Sequence, residues 1–332
     1  MHVSTRLGLA GFAMLALSGC QSEGEARAGA SGSAEAVHMN PMIALHEQDA
    51  PVFGLYVPRA TPARGRDAGP PDPSEIKTPE ELAAETMGFA EADYVFHSAM
   101  EGGVDEALPG FQEFVRAMHT GGATARTHPF VVKMEKISED PNAAQHVHQQ
   151  LAAGVSGVMF VHVESAEELE LGLDAMRFVS NGGTRPDDDL GMGPEYWGVS
   201  PEEYREKADL WPLSPEGELI SWVIIESLEG LENIREIAAV PGIGVLWPGA
   251  GTLRGVFSTT QPDGTRVLDE AAWEAAIQTV LDTCDEFDLM CGFPAGPDNV
   301  EARMAQGFDV FVMNWGDSGF ETVEIGRAAA NR

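Results

Sequence analysis

Two residues that could take part in chemistry follow neighbouring apolar segments in the second half of this 332-residue chain. Glu226 ends the run ISWVIIE, and the next run, GIGVLWP, leads into a glycine-rich loop that contains Thr252. Such runs are typical of buried strands, and glycines let a backbone approach a ligand closely. A carboxylate at one strand end beside such a loop is a common way to hold a metal ion in an α/β enzyme. The loop would normally supply a second carboxylate, whereas Thr252 supplies a neutral hydroxyl.

The elements that must position these groups alternate regularly from residue 51 onward. Helix-like segments separate most of the strand-like runs, and several of these segments open with Thr, Ser or Asp as an N-cap. The strand-like runs are 51–57, 93–98, 129–134, 157–163, 220–226, 242–248, 287–294 and 309–315. This alternation predicts an α/β fold, a (β/α)8 TIM barrel, with a doubly wound open sheet as the alternative.

The amino-terminal segment is predicted to be a lipoprotein signal peptide, residues 1–19. Arg6 is its one charge, and the apolar stretch that follows is too short to span a bilayer. Leu17-Ser18-Gly19-Cys20 matches the bacterial lipobox, which makes Cys20 the lipidation site. Gln21 is not the aspartate that retains lipoproteins in the inner membrane of enterobacteria. The predicted location is therefore the cell envelope, lipid-anchored at the outer membrane and facing the periplasm.

The remaining chain divides into a small-residue tether and one large domain. Residues 20–45 are predicted to be a flexible tether, and 46–332 a single barrel domain. The aromatic-rich segment at about 180–219 is predicted to be a lid over the carboxyl-terminal face or a subunit contact. With Cys20 lipidated, Cys284 and Cys291 remain, and a periplasmic location permits but does not establish a disulfide between them.

The charge is strongly acidic, with 20 basic against 53 acidic residues and a net charge of −33. Nucleic acid is excluded as a partner, because its binding depends on Lys and Arg that displace counterions. The same charge repels anionic headgroups, so membrane contact depends on the lipid at Cys20. We interpret the excess as a solubility adaptation to a saline habitat.

Longer motifs resemble the HpcH/HpaI aldolase/citrate lyase family. The resemblance covers about 51–328 and is carried by GLYVPR, EYWGVSPEEYREKADLWPLSPEGEL, VIIESLEGLENIREIAAVPGIGVL and GPDNVEARMAQGFDVFVMNW. It implies a barrel of the phosphoenolpyruvate/pyruvate-domain type, a homo-oligomer and a class II aldolase chemistry. In that chemistry a Mg²⁺ or Mn²⁺ ion held by a Glu and an Asp chelates a 2-oxo acid and stabilises its enolate. An Arg neutralises charge, and a His near an Asp transfers protons.

The resemblance assigns the metal Glu to Glu226 and, aligned without a gap, places Thr252 at the metal Asp. A hydroxyl is a much poorer ligand than a carboxylate for a hard dication. The implied cofactor, Mg²⁺ or Mn²⁺, would therefore be bound by a depleted site.

The family motif D-x-E-H-G falls on the segment after the second strand. Without a gap, Ser98 takes the Asp position, Met100 the Glu position and Glu101 the His position. A shift by one keeps Glu101 as the Glu and places Gly102 at the His. Either register loses the Asp–His pair, and the family Arg aligns with Lys133. Lys133 and Glu101 are therefore the catalytic candidates that remain.

The histidines of the chain are predicted to have structural positions. His97 and His162 lie on strands and are expected to be satisfied core groups, while His146 and His148 are expected on a solvated helix face.

Together these features predict a divergent, metal-dependent carbon–carbon lyase acting on a 2-oxo acid or a related carbonyl substrate, with a degenerate active site. The alternative is a catalytically inactive barrel lipoprotein that serves as a binding or scaffold protein in the cell envelope.

Overall fold

The computed structural model describes residues 38–61 and 72–332. The signal peptide, the lipobox and most of the predicted tether lie outside these residues. Within them, none of the helices has the length and apolar character needed to cross a membrane.

Eight parallel strands form a closed barrel. They are β1 (Val52–Tyr56), β2 (Tyr94–His97), β3 (Phe130–Lys133), β4 (Gly157–Phe160), β5 (Leu219–Ile225), β6 (Ile243–Pro248), β7 (Met290–Pro294) and β8 (Val310–Met313). Each strand pairs with the next along the chain, and β8 pairs with β1 to complete the ring. The predicted (β/α)8 barrel is confirmed, and the open sheet is excluded because it would leave two unpaired edges.

Helices precede, connect and follow the strands of the barrel. They are α1 (Pro41–His46), α2 (Pro79–Met87), α3 (Val104–Thr120), α4 (Ala143–Ala152), α5 (Ala166–Met176), α6 (Gly193–Trp197), α7 (Pro201–Lys207), α8 (Leu228–Glu232), α9 (Ile234–Ala238), α10 (Ala250–Val256), α11 (Glu270–Phe287), α12 (Val300–Gln306) and α13 (Asp317–Ala329). Thr78 begins α2 with a capping box, in which its hydroxyl accepts from Glu81 N–H and Glu81 accepts from Thr78 N–H. Short strands lie at Leu210–Trp211, Ser258–Thr260 and Arg266–Leu268.

Large aromatic side chains fill the barrel interior. Trp222 is fully buried, and its ring lies 5.4 Å from that of Tyr94 and 5.6 Å from that of Trp247. Gly54 makes this packing possible, because a Cβ atom there would lie 2.1 Å from the Tyr94 ring. The interior is therefore a packed core, and ligands can enter only at its ends.

The aromatic-rich insertion packs on the amino-terminal face of the barrel. Tyr196 donates its hydroxyl to His128 O (2.8 Å), just before β3, and Trp197 donates Nε1–H to Gly154 O (3.1 Å), just before β4. The predicted lid over the carboxyl-terminal face is therefore wrong. A subunit contact through 180–219 stays a prediction.

The first described residues, from His38 onward, pack on the same face. Met42 and Ile43 are 1% and 0% exposed and join the core of the barrel interior. Glu218, just before β5, accepts hydrogen bonds from the backbone of Met39 (2.9 Å) and Asn40 (2.8 Å). The predicted tether of 20–45 therefore extends too far, since residues 38–45 belong to the barrel. The apolar run MIAL behind an Asn N-cap and a Pro is the sequence signal for this helix.

The two remaining cysteines form a disulfide. Cys284 near the end of α11 pairs with Cys291 on β7. This bond answers the question that the sequence left open, and it is typical of proteins that fold in an oxidising compartment.

Candidate active site

A cavity of about 250 Å³ opens at the carboxyl-terminal ends of the strands. Lys133, Glu226 and Thr252 all line it, together with Tyr56 and Trp247. The structure therefore brings together three of the four candidates that the sequence singled out. This end of a barrel is where β/α enzymes build their active sites, because several strand ends converge there.

Glu226 presents a buried carboxylate to this cavity. The residue is 7% exposed, and no described residue forms a hydrogen bond with its carboxylate. Gly249 packs directly on it, since a Cβ at this position would lie 2.2 Å from Glu226 Cβ and 2.8 Å from Oε2. The glycine-rich loop thus serves to let the backbone pass over Glu226. The carboxylate opens onto the cavity, so its oxygens are available to a solute that enters.

His162 is the nearest titratable neighbour of Glu226. Its Nδ1 lies 3.9 Å from Glu226 Oε1, and its Nε2 lies 3.3 Å from Glu164 Oε1. Its side chain is 37% exposed, so the prediction that His162 is a satisfied core group is wrong. The backbone has φ of 53°, a left-handed conformation that takes the side chain out of the strand alternation on which the prediction depended.

Lys133 is held by a short ion pair. Its Nζ lies 2.6 Å from Glu101 Oε1, with the lysine side chain 17% and the glutamate side chain 43% exposed. Lys133 ends β3 and reaches the cavity, while Glu101, on the turn Ala99–Gly102, lines the neighbouring cleft. Glu101 therefore acts on the cavity through Lys133 and does not face it directly.

The other positions of the family motif do not face the cavity. Met100 is fully buried in the outer core, and Ser98 lines a separate hollow next to β1. No Asp–His pair faces the cavity among the described residues. This agrees with the loss of that pair in both registers of the alignment.

His97 is structural, as expected. Its ring packs edge-on to Phe111 at 4.9 Å, and its Nδ1 accepts a hydrogen bond from Ala99 N–H at 3.4 Å. Burial lowers the pKa of His97 to about 4. It is therefore neutral at physiological pH and adds no charge near the Lys133–Glu226 cavity.

Tyr56 and the members of a second ion pair also have shifted pKa values at this end of the barrel. Burial and then the charge of Glu101 raise the pKa of Tyr56, so its hydroxyl stays protonated in the cavity. Lys136 Nζ lies 2.5 Å from Glu164 Oε2. Burial alone would lower the pKa of Lys136, but the hydrogen bond and charge of Glu164 raise it; the same hydrogen bond lowers the pKa of Glu164.

His146 is buried, contrary to its predicted place on a solvated helix face. It is 5% exposed, and its Nδ1 lies 2.6 Å from Asp140 Oδ2. His148 is half-buried, and burial lowers its pKa. The pattern NAAQHVHQQ gave no sign of this, because the acidic partners of His146 come from other elements.

Residues 78–322 match the sequence profile of the HpcH/HpaI aldolase/citrate lyase family. The chain belongs to this family. The match spans the barrel from the start of α2 into α13, which includes every strand except β1.

Solved structures of this fold are similar over most of the chain. An HpcH/HpaI aldolase/citrate lyase family protein from Burkholderia cenocepacia J2315 is 17% identical with a TM-score of 0.59, covering 85% of this chain and 93% of that one. An HpcH/HpaI aldolase from Desulfitobacterium hafniense DCB-2 is 16% identical with a TM-score of 0.56, covering 81% and 88%. Macrophomate synthase is 17% identical with a TM-score of 0.56, covering 88% of each chain. The chain matches none of the curated proteins. Likenesses at these identities establish the fold.

The donor set at the cavity does not fit the metal ion that the resemblance implies. Glu226 is its single carboxylate, Thr252 offers a neutral hydroxyl, and the Lys133 ammonium lines the same cavity. Hard dications such as Mg²⁺ need several oxygen ligands and are repelled by an adjacent cation. The side chains of the cavity are therefore the groups that can act on a substrate there.

Proposed function

We propose that the protein is a divergent carbon–carbon lyase acting on a small 2-oxo acid or a related carbonyl compound in the Lys133–Glu226 cavity. The observation that carries the proposal is the pairing of a cation with a buried carboxylate free of hydrogen bonds, in one cavity of about 250 Å³. Membership of an aldolase and lyase family supports the reaction class. The cavity is small for a binding pocket and suits a substrate of a few carbon atoms.

The two side chains can divide the work of an aldol cleavage. In a 4-hydroxy-2-oxo acid, Glu226 accepts the proton of the 4-hydroxyl group as the bond between C3 and C4 breaks. The bond electrons pass to the oxygen on C2, where the Lys133 ammonium stabilises the enolate. The aldehyde leaves, and the proton held by Glu226 passes to C3, which completes the 2-oxo acid product and restores the Glu226 carboxylate.

Turnover is expected to be slow. Both registers of the alignment lose the Asp–His pair of the family, with Glu101 or Gly102 at the His position. Loss of a proton relay typically costs about 10²–10⁴-fold in rate. Glu101 also neutralises part of the Lys133 charge at 2.6 Å. These observations favour a second candidate function, a barrel that binds a 2-oxo acid without cleaving it.

Assays with oxaloacetate and with a 4-hydroxy-2-oxo acid test both candidates. Decarboxylation of oxaloacetate needs only enolate stabilisation and is the more sensitive assay. Lys133→Met should abolish turnover of both substrates, and Glu226→Gln should abolish cleavage of the 4-hydroxy-2-oxo acid. Leu171→Ala, on the exposed face of α5, should abolish neither.

The outcomes separate the two functions. Turnover of either substrate that survives Lys133→Met, or aldol cleavage that survives Glu226→Gln, would contradict the proposal. Binding of pyruvate by calorimetry, lost in Lys133→Met and unaccompanied by turnover, would identify the binding barrel instead. Absence of both binding and turnover would exclude both.

A further inference from the structure

A second group of ligating side chains lies outside the Lys133–Glu226 cavity, where the chain leaves β3. Glu135 follows that strand, Asp140 lies just before α4, and His146 is on α4. Each offers one ligand atom, and the three atoms lie within 4.8 Å of one another.

His146 stands at hydrogen-bond distance from Asp140 and at ion-pair distance from Glu135. His146 Nδ1 lies 2.6 Å from Asp140 Oδ2 and 3.9 Å from Glu135 Oε2. Ligands bound at about 2.0–2.2 Å in tetrahedral geometry are about 3.4 Å apart. The observed distances bracket this value, so small side-chain movements would complete the geometry.

Burial and local contacts hold the nitrogen and one oxygen in place. The side chains of His146 and Asp140 are 6% and 5% exposed. Asp140 uses its other oxygen, Oδ1, to accept Asn142 N–H at 2.8 Å, which leaves Oδ2 facing the histidine. A pre-positioned pair of this kind loses little conformational entropy when an ion binds.

A third carboxylate, on an exposed side chain, lies on the opposite side of the histidine ring. Asp105, in the first turn of α3, places Oδ1 3.4 Å from His146 Nε2. A carboxylate that accepts the other ring N–H is the usual partner of a metal-ligating histidine, because it fixes the tautomer and raises the basicity of the ligand nitrogen.

The negative charge of this group lacks a permanent cation. Among the described residues, Asp105, Glu135 and Asp140 form ion pairs with His146 and with no lysine or arginine. The nearby Lys133 and Lys136 are held by Glu101 and Glu164. Three carboxylates around one imidazole, which carries at most one positive charge, favour a bound dication.

We infer that Glu135, Asp140 and His146 form a binding site for a divalent transition metal ion, with Asp105 as the residue that orients His146. One imidazole nitrogen with two carboxylates suits Zn²⁺ or Mn²⁺ better than Mg²⁺ or Ca²⁺, which prefer oxygen ligands alone. Glu135 and Asp140 also line a cleft of about 330 Å³, which gives the ion access to solvent. Glu101 lines the same cleft, so the ion would lie near the Lys133–Glu101 pair.

Calorimetric titration of the chelator-treated protein with Zn²⁺ tests this site. We expect about one equivalent of tight binding, accompanied by a rise in Tm, because the ion binds the folded state. Asp140→Asn, Glu135→Gln and His146→Gln should each weaken binding by at least about 100-fold, since loss of an orienting partner alone costs about 10–100-fold. Asp105→Asn should therefore weaken it by about 10-fold.

Two variants serve as controls. Glu139→Gln removes a carboxylate from the same cleft without touching the triad, and Glu226→Gln removes the carboxylate of the central cavity. Both should bind Zn²⁺ like the wild type. A titration with Co²⁺ adds an independent readout, because its visible absorption bands should appear in the wild type and be lost in His146→Gln.

Several results would overturn the inference. These are the absence of saturable Zn²⁺ binding, wild-type affinity in both Asp140→Asn and Glu135→Gln, and loss of binding in Glu226→Gln. Because Asp140 and Glu135 face the cleft, their variants keep the test decisive if His146→Gln does not fold. Metal binding is measured without turnover, so the inference stands or fails independently of the proposed lyase activity.

Discussion

Thr252 determines how the central cavity interacts with cations. It lies in the first turn of α10 and faces the same cavity as Glu226. The ungapped resemblance to the family places a metal-binding aspartate at this position. A cavity with one carboxylate and one ammonium favours an anionic substrate group over a free dication. A hydroxyl in place of a carboxylate at residue 252 thus changes which ligand the central cavity attracts.

Thr252→Asp should therefore create a Mg²⁺ site. Two carboxylates and water molecules are sufficient to hold this ion, and affinity should rise measurably by calorimetry or thermal shift. Mg²⁺ is the suitable probe because the Glu135–Asp140–His146 group prefers transition metals. Adding Glu226→Gln in the same background should abolish the gain. A variant that is merely less stable and binds no Mg²⁺ would show that residue 252 does not face Glu226.

His97 should make the folding stability vary with pH in the mildly acidic range. Its pKa is about 4 in the folded protein, below the ordinary value of 6.5. Between these values the unfolded chain binds more protons, so stability rises with pH across this window and is lost toward pH 4. Urea unfolding midpoints at pH 4.5 and 7 should differ less in His97→Gln than in the wild type. An unchanged difference would show that His97 is not the group responsible.

At the scale of single residues, the sequence predicted where the candidate site residues lie but not where two of the histidines lie. Glu226, Lys133 and Thr252 follow apolar runs, and strand ends of a barrel necessarily meet, so their convergence was predictable. His162 was misplaced because its positive φ takes it out of the two-residue period. His146 was misplaced because its burial depends on Asp105 and Asp140, which a helical pattern cannot report.

At the scale of elements, α1 acts as a plug for the amino-terminal end of the barrel. Ile43 is fully buried and packs in the same cluster as the barrel interior, with Val52 and Val310 at the strand starts. This contact makes the segment before β1 part of the folded domain.

Ile43→Ala should destabilise the protein by about 2–5 kcal/mol, the usual cost of a cavity in a well-packed core. Chemical denaturation measures the difference. Leu171→Ala is the matched control, since Leu171 is also a helical residue but is 65% exposed; it should change stability by less than about 0.5 kcal/mol. Equal effects of the two substitutions would show that α1 is not a structural plug.

The strands were predictable from the sequence, whereas the placement of the connecting segments was not. Apolar runs and helical periods reveal which segments form strands and helices, and parallel alternation leaves few topologies. The sequence pattern of residues 180–219 does not indicate on which face of the barrel this segment packs. Hydrogen bonds from Tyr196 and Trp197 to backbone carbonyls decide that, and these partners are distant in sequence.

At the scale of the whole molecule, attachment to a membrane through Cys20 remains a proposal, since this residue lies outside the described part of the chain. The lipobox supports it, and the Cys284–Cys291 disulfide suits an oxidising compartment. Lipid chains contribute about 0.8 kcal/mol for each buried CH₂ group, so a multiply acylated cysteine would anchor durably.

Cys20→Ser should release the protein from membranes or leave it as an unprocessed precursor. Cell fractionation combined with mass spectrometry of the mature amino terminus distinguishes these two results from wild-type behaviour. A wild-type protein found entirely in the cytosol would exclude lipid anchoring.

The chain enters the barrel at the plugged end. The segment before β1 arrives at the face opposite the Lys133–Glu226 cavity. Residues 38–51 therefore do not line this cavity. Release from the membrane by Cys20→Ser should accordingly leave the access of small solutes to Lys133 and Glu226 unchanged.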